Sequence, residues 1–401
     1  MPDRYHRNRF KRHQLDIEDT KHKLYDAAKR LIQSLSSPSV LSSIPYVHVY
    51  NGVVGVLYAL GHASLILPEA GVVVESILRD IDIAKLVELH GGQSAGLLSQ
   101  CSAFGVYALA LYIIGHQTDA VQQAQMAISK AEEVLEYFID DEVLYGRAGL
   151  LAILQQIEKI LPETQGQHIL RVRQRIVQQL IHNLEKITVG DLPLVLLWND
   201  APLLGAAHGL SGVLHVLLND LKLLDEREKS LVFQSCKAFV RLQLRSGNFP
   251  ASIDNKHEEL VQWCHGCPGV IPFLIAAKNR ICEISTCGDL AKLYDSALVK
   301  AIELTWKKGL LTKGPSICHG TSGNGYAFLR YYLDNHIQNS LIDALQFALF
   351  ASEQEYGISR PTSPHSLFIG DAGVLLYITD CVLCIENRSD EVSGPVGVPF
   401  L

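Results

Sequence analysis

Three short tracts of this chain place reactive side chains directly before a glycine: Ala206-Ala207-His208-Gly209, Trp263-Cys264-His265-Gly266 and Ile317-Cys318-His319-Gly320. A lone Cys or His beside a glycine is a packing residue more often than a ligand. Here the two cysteines stand 54 residues apart (264 to 318), and each lies two residues before its glycine. Two thiolates and one imidazole drawn from such corresponding places suit zinc, and Cys264, Cys318 and His319 are the expected ligands. Three protein ligands leave a fourth position open, as in a catalytic rather than a structural site. His265 follows Cys264 directly and is expected to point elsewhere. Cys267 makes a Cys-x-x-Cys with Cys264, but the βαβ setting of a redox pair is missing.

These tracts belong to a longer repeat. Gly-x-x-Gly followed by an apolar run begins at Gly52, Gly146, Gly209, Gly266, Gly320 and Gly370, with a degraded copy, QSAGLLSQC, in which Gln93 stands for the first glycine. Successive starts lie between 41 (52 to 93) and 63 (146 to 209) residues apart. Periods of this size mark a supersecondary unit repeated in a closed or stacked array. The stretches between motifs, such as 168–184 and 290–304, carry helical spacing, so each unit reads as an outer amphipathic helix, a glycine loop and an inner apolar helix. Glycine at that junction permits positive φ and close backbone packing. Inner helices as apolar as 213–218 need a second layer around them, and stacked superhelical scaffolds have shorter, more even periods. The expected fold is therefore all-α: a double-layered α/α barrel of seven helical hairpins, forming one domain over residues 1–401. Every motif then sits at an inner-helix N-terminus, and all converge on one end of the cavity. Backbone N–H groups and helix dipoles favour anions and thiolates there.

Composition agrees with a large core: 48% of the 401 residues are apolar and 19% charged. The net charge of −7 and the lack of any nucleic-acid motif argue against a nucleic-acid partner. The first 13 residues, MPDRYHRNRFKRH, are strongly basic. They read either as a frayed, solvated end or as a contact for a membrane surface or an anionic substrate. No apolar run follows them as in a secretory signal, and none reaches the roughly 18 residues of a membrane span. The nine cysteines are an odd number, which suits reduced thiols and a cytoplasmic location. Cys381 and Cys384, in an apolar segment, read as core.

Taken together, WCHGCPG at 263–269, CHGTSGNGYAFL at 318–329, GAAHGLSG at 205–212 and LYGRAG at 144–149 resemble the eukaryotic LanC-like proteins, relatives of the bacterial lanthionine cyclases. The likeness runs end to end, through RLQLRSGNFPASI, KKGLLTKG, SRPTSPHSLFIGDAG and the terminal VPFL. It implies the seven-hairpin barrel and one zinc on Cys264, Cys318 and His319. It also implies addition of a thiolate, that of glutathione as co-substrate, to dehydroalanine or dehydrobutyrine in proteins or peptides, with elimination of phosphate from phospho-Ser or phospho-Thr.

That chemistry needs a proton donor for the enolate, and His208 is its natural acid. Tyr145 is expected to help orient substrate. Cationic partners for phosphate and for glutathione carboxylates are implied at Lys313, which could also serve as a base after desolvation, and at Arg4. Arg360 with Pro361, Thr362 and Ser363 is the implied glutathione loop. The chain departs from the family pattern at GGQSAG, at Cys267 and at Ile369, which replaces an acidic residue. Three rival readings remain. The main alternative is a regulatory protein that binds zinc and glutathione without turnover. A glycoside hydrolase would need two carboxylates, and the repeat loops offer only Asp371. A zinc prenyltransferase would use a different ligand set.

Overall fold

A computed structural model describes residues 4–42, 44, 46–89, 94–137, 139–254, 259–284, 288–357 and 361–394. Among them, fourteen long helices alternate between two layers. The outer layer holds α1 (Ile17–Leu35), α3 (Glu69–Asp80), α5 (Gln117–Val134), α7 (Glu163–Leu184), α9 (Glu226–Val240), α11 (Gly288–Lys308) and α13 (Gln338–Glu353). The inner layer holds α2 (Val53–Ala63), α4 (Gln100–Ile113), α6 (Arg147–Ile157), α8 (Leu210–Asn219), α10 (Cys267–Ile284), α12 (Thr321–Asn335) and α14 (Asp371–Ile385). Burial follows the apolar pattern. Every residue of α2 is buried, whereas α1 buries Thr20, Leu24, Ala27, Ala28, Ile32 and Leu35 at helical spacing. Each inner helix packs on the next, and α14 packs back on α2, with α1 as its outer partner. The double-layered seven-hairpin barrel read from the sequence is thus what the chain forms. No helix among the described residues is long and apolar enough to cross a membrane.

Closure is completed by the backbone. Tyr50 N–H donates to the Leu97 carbonyl (3.4 Å), Leu97 to Val143 (3.3 Å), Val143 to Ala207 (3.1 Å) and Ala207 to Cys264 (3.5 Å). Cys264 donates to Cys318 (3.1 Å), Cys318 to Phe368 (2.8 Å), and Phe368 returns to Tyr50 (3.0 Å). Seven residues, one from each repeat, therefore form a closed hydrogen-bonded ring just before the inner helices begin. Buried amides must find partners, and here each repeat partners the next.

The ring explains the glycines, and differently from the expectation of positive φ. The first glycines at 52, 146, 209, 320 and 370 cap their helices in extended conformation, with φ between −113° and −140°. Only Gly266, at φ +115°, needs the left-handed region. What excludes side chains is space: a Cβ on Gly323 would overlap the Ile317 carbonyl oxygen, and one on Gly149 that of Val143. The second repeat is also corrected. Gln93 lies outside the described residues, and α4 is capped instead by Ser99, whose hydroxyl accepts from Ser102 N–H at 3.2 Å. Ser99 and Ser102 take the places of the two glycines and both donate to the Ala95 carbonyl, at 2.9 and 3.3 Å. With Ser99 as the start, this repeat lies 47 residues from each neighbour (52 to 99, 99 to 146).

The basic N-terminus, from Arg4 onward, is not frayed. Tyr5 pairs antiparallel with Leu311, His6 N–H donates to Leu310 at 2.6 Å, and Thr312 N–H to Arg4 at 3.0 Å. Asn8 reaches the Trp306 carbonyl, and Arg12 binds Glu303 and the buried Asp343. The segment is strapped along the barrel rim beside residues 310–312.

Overpacking at Gly323 sets a test of the ring. Gly323→Ala is expected to cost at least 1–3 kcal/mol in chemical denaturation. Gly166→Ala, in α7 with nothing near its Cβ position, is expected to gain about 0.4–1 kcal/mol. Equal effects at both sites would refute the packing argument.

Candidate metal and catalytic centre

Cys264 and Cys318 are consecutive members of the backbone ring, so their side chains emerge side by side. His319 is the next residue. The two sulfurs and one His319 ring nitrogen all lie within 4.8 Å of one another, with both cysteines buried and His319 half-buried. An ion with bonds of about 2.3 Å to sulfur and 2.0–2.1 Å to nitrogen reaches all three. The donor set and its spacing fit zinc.

The surroundings support ligation. Gln262 Nε2 donates to Cys264 Sγ at 3.0 Å, and the Tyr50 hydroxyl bonds Cys318. The Cys318 hydrogen bond, and then His319, hold Cys264 well below the usual thiol range. Cys318 in turn is pushed up by that bond and by burial. Burial first, and then the Cys318 sulfur, raise the Tyr50 phenol, which therefore stays a neutral donor. Cys267 is no partner in this chemistry. It is buried against Thr305 and the Ala301 carbonyl, and burial pushes its thiol up to about 12.

One residue past the ring, three adjacent repeats carry His208, His265 and His319, so the three histidines form an arc at the mouth of the cavity. His208 and His265 ring centroids are 6.3 Å apart. Burial, ahead of its neighbours' charges, lowers the His265 pKa. His208 Nδ1 lies 2.8 Å from Glu142 Oε2, and Glu142 is fully buried. Glu142 also accepts from Leu144 N–H at 2.7 Å and from Tyr145 N–H. Trp198 stacks on His208 at 4.0 Å, and Tyr145, 39% exposed, stacks beyond at 6.1 Å from His208. A tight turn at Asn199 and Asp200, both at positive φ, returns the chain so that Trp198 pairs with Ala201.

Lys313 is exposed at the rim, close enough for its charge to act on His265 and Cys318. Arg4 is brought beside it by the Thr312–Arg4 bond, but its guanidinium pairs with Glu259 at 2.8 Å. Pro361 is half-buried, Thr362 exposed and Ser363 buried, and among the described residues no partner is found for the buried Ser363 hydroxyl. Arg360 lies outside the described residues. Asp371 accepts from the Tyr356 hydroxyl at 2.9 Å.

Sequence reasoning missed four contributors: Tyr50, Glu142, Trp198 and Gln262. Tyr50 was within reach, because it lies two residues before Gly52 as the cysteines lie before Gly266 and Gly320. Glu142 was hidden in Asp140-Asp141-Glu142, which reads as a solvated acidic run. Its burial corrects the view that Asp371 is the only loop carboxylate.

Replacing Cys318 with Ala should reduce bound zinc from about one per chain to a small fraction, measured by metal analysis after gel filtration. Full zinc in Cys318→Ala would overturn the ligand assignment. Tyr50→Phe should retain zinc.

Residues 46–391 match the family described as Lanthionine synthetase C-like protein. Among curated proteins, the chain is similar to Glutathione S-transferase LANCL1 of Danio rerio, at 31% identity over 294 residues, 70% of each chain. Among solved structures it is similar to Nisin cyclase, with a TM-score of 0.67 and 15% identity, covering 90% of this chain and 94% of that one. The seven-hairpin barrel is shared with that cyclase, and the chain belongs to the lanthionine synthetase C-like family, as a eukaryotic LanC-like protein.

Proposed function

We propose that this protein adds the thiol of glutathione to dehydroalanine or dehydrobutyrine residues in peptides or proteins, and that the same cavity eliminates phosphate from phospho-Ser and phospho-Thr. One observation carries the reading: a Cys₂His donor set and a carboxylate-backed histidine stand on neighbouring repeats around one opening. The printed name of the Danio rerio relative, a glutathione S-transferase, supports the choice of thiol. Zinc held by Cys264, Cys318 and His319 would act as a Lewis acid that lowers the pKa of an added thiol.

The chain's own residues then do the following. The glutathione sulfur forms a bond to the substrate β-carbon, and the C=C pair moves onto the carbonyl oxygen. With its Nδ1–H committed to Glu142, His208 holds its movable proton at Nε2 and delivers it to the α-carbon. The proton released by the thiol restores His208, so the net reaction is addition of S–H across the double bond. Glu142, buried and unable to turn, fixes the tautomer and stabilises the imidazolium. Trp198 and Tyr145 hold the ring plane. Lys313 and the 361–363 segment, with Arg360, are the proposed contacts for glutathione carboxylates. For elimination, neutral His208 accepts the substrate α-proton at Nε2 while the Cα–Cβ double bond forms and the Cβ–O bond to phosphate breaks, and Lys313 and Arg4 neutralise the departing phosphate. Arg4 must exchange Glu259 for that phosphate, at little cost because exposed ion pairs contribute about 0–1 kcal/mol.

Mass spectrometry of a dehydroalanine peptide incubated with glutathione tests the reading. His208→Asn should keep zinc and glutathione binding while slowing adduct formation roughly 10²–10⁴-fold. No adduct above the background of free glutathione from the parent protein would leave the non-catalytic binding reading in its place. Lys313→Ala and Arg4→Ala should impair elimination more than addition, and equal losses would assign them to general binding.

A further inference from the structure

The N-terminal strap carries more positive charge than the proposed reactions use. Arg4 is paired with Glu259, and Arg12 with Glu303 and Asp343. Between them Arg7 and Arg9 are exposed, and among the described residues neither has an ion-pair partner. Their side chains line a cavity of about 470 Å³ with His6, Phe10, Leu310 and Phe350. Among the described residues, no acidic one lines it. The floor is apolar and held in place: the His6 ring lies tilted against Phe350, centroids 5.3 Å apart, and His6 N–H is bonded to the Leu310 carbonyl. Lys308, over the Tyr5 ring at 5.5 Å, adds a further cation to the same edge. In a protein of net charge −7, this is a local reversal of sign.

The position of the cavity gives it meaning. Because residues 4–6 run antiparallel to 310–312, Arg4 lies beside Lys313 at the mouth of the barrel. Arg7 and Arg9 follow along the strap, away from that mouth. At about 3.3 Å per extended residue, they lie at most roughly 10 and 16 Å beyond Arg4, which is three to five residues of an extended peptide. A phosphate is well matched by the planar guanidinium donors of arginine, and an apolar neighbour needs a floor such as Phe10, Leu310 and Phe350. Both are present side by side.

We propose that the cavity under Arg7 and Arg9 is an exosite for the peptide substrate, binding a phosphoserine or phosphothreonine three to five residues from the reacting residue, with an apolar side chain next to it on the Phe10–Phe350 floor. This rests on the reading of the substrate as a peptide or protein. It selects multiply phosphorylated segments, and it gives the strapped N-terminus a role in choosing the substrate while leaving the chemistry to the barrel mouth.

Three measurements test it together: peptide binding, adduct formation and binding to phosphatidylserine vesicles. The first is fluorescence anisotropy with labelled peptides that carry Ala at the reacting position and either Ser or phosphoserine four residues away, on either side. The phosphorylated peptide should bind about tenfold more tightly to the parent. The Arg7→Ala/Arg9→Ala variant, whose changes are on exposed side chains, should bind both peptides like the parent binds the unphosphorylated one. The second is adduct formation on dehydroalanine peptides with the same flanks, where the variant should raise KM for the phosphorylated flank alone and leave kcat unchanged. Discrimination in binding without any adduct would remove the catalytic reading and keep the exosite. Equal binding of both peptides to the parent would overturn the exosite even if turnover is normal. So would loss of binding to phosphatidylserine vesicles in the variant without a change in peptide preference, which would make the patch a membrane contact.

Discussion

The ring of seven backbone hydrogen bonds from Tyr50 through Cys318 and Phe368 back to Tyr50 is the constraint on which the rest of this structure depends. A two-layered helical barrel could in principle be held only by side-chain packing, which is tolerant of small rotations and slides. A ring of amides is not tolerant, because each buried N–H that misses its carbonyl carries a penalty of about 1–3 kcal/mol. The ring therefore fixes how each repeat is registered on the next. It also explains why the glycines recur: a carbonyl of the ring at Gly149, and the carbonyl just before the ring at Gly323, press so closely on the first turn of the inner helix that a methyl group has no room.

The candidate site inherits its geometry from this register. Neighbouring ring members present neighbouring side chains, so Cys264 and Cys318 meet without any loop reaching across the cavity. The same logic places His208, His265 and His319 in one arc, one residue past the ring. Rigidity in the backbone thus supplies preorganisation: donor groups are aimed before any ligand arrives. Around this frame the variable parts are loops. The Trp198 turn, the Glu142 loop and the N-terminal strap each bring one element to the rim. The strap's hydrogen bonds to 310–312 tie Arg4 to the neighbourhood of Lys313 across more than three hundred residues of sequence.

Electrostatics divides the site into two environments. The buried pair Cys264–Cys318 stabilises one thiolate through the other thiol, a situation that a divalent cation resolves by taking both as anions. Glu142 meets its own burial differently, through Leu144 and Tyr145 N–H groups and His208. Those partners fix the orientation of the carboxylate, which makes it a rigid support for the imidazole. Lys313 and Arg4 remain near solvent, where they can exchange partners at low cost.

The sequence by itself determined the barrel, the number of hairpins and the meeting of the candidate metal donors, because those are properties of repetition. Apolar helices at a fixed period must bury themselves in one another, and a Cys-His pair that recurs at the same place in the unit must recur at the same place in space. The degraded second repeat was misplaced for the same reason: QSAG carries the glycine, while the physical requirement, a cap and a satisfied carbonyl, is met by Ser99 and Ser102. Only the tertiary structure decided which non-repeating residues reach the opening. Glu142 reads as one acid in an acidic run until burial singles it out, Trp198 is placed by a turn of two positive-φ residues, and the basic N-terminus becomes a strap once its amides find residues 310–312. Such contacts join segments with no periodic relation, so their partners are set by loop closure in three dimensions and leave no regular mark along the chain.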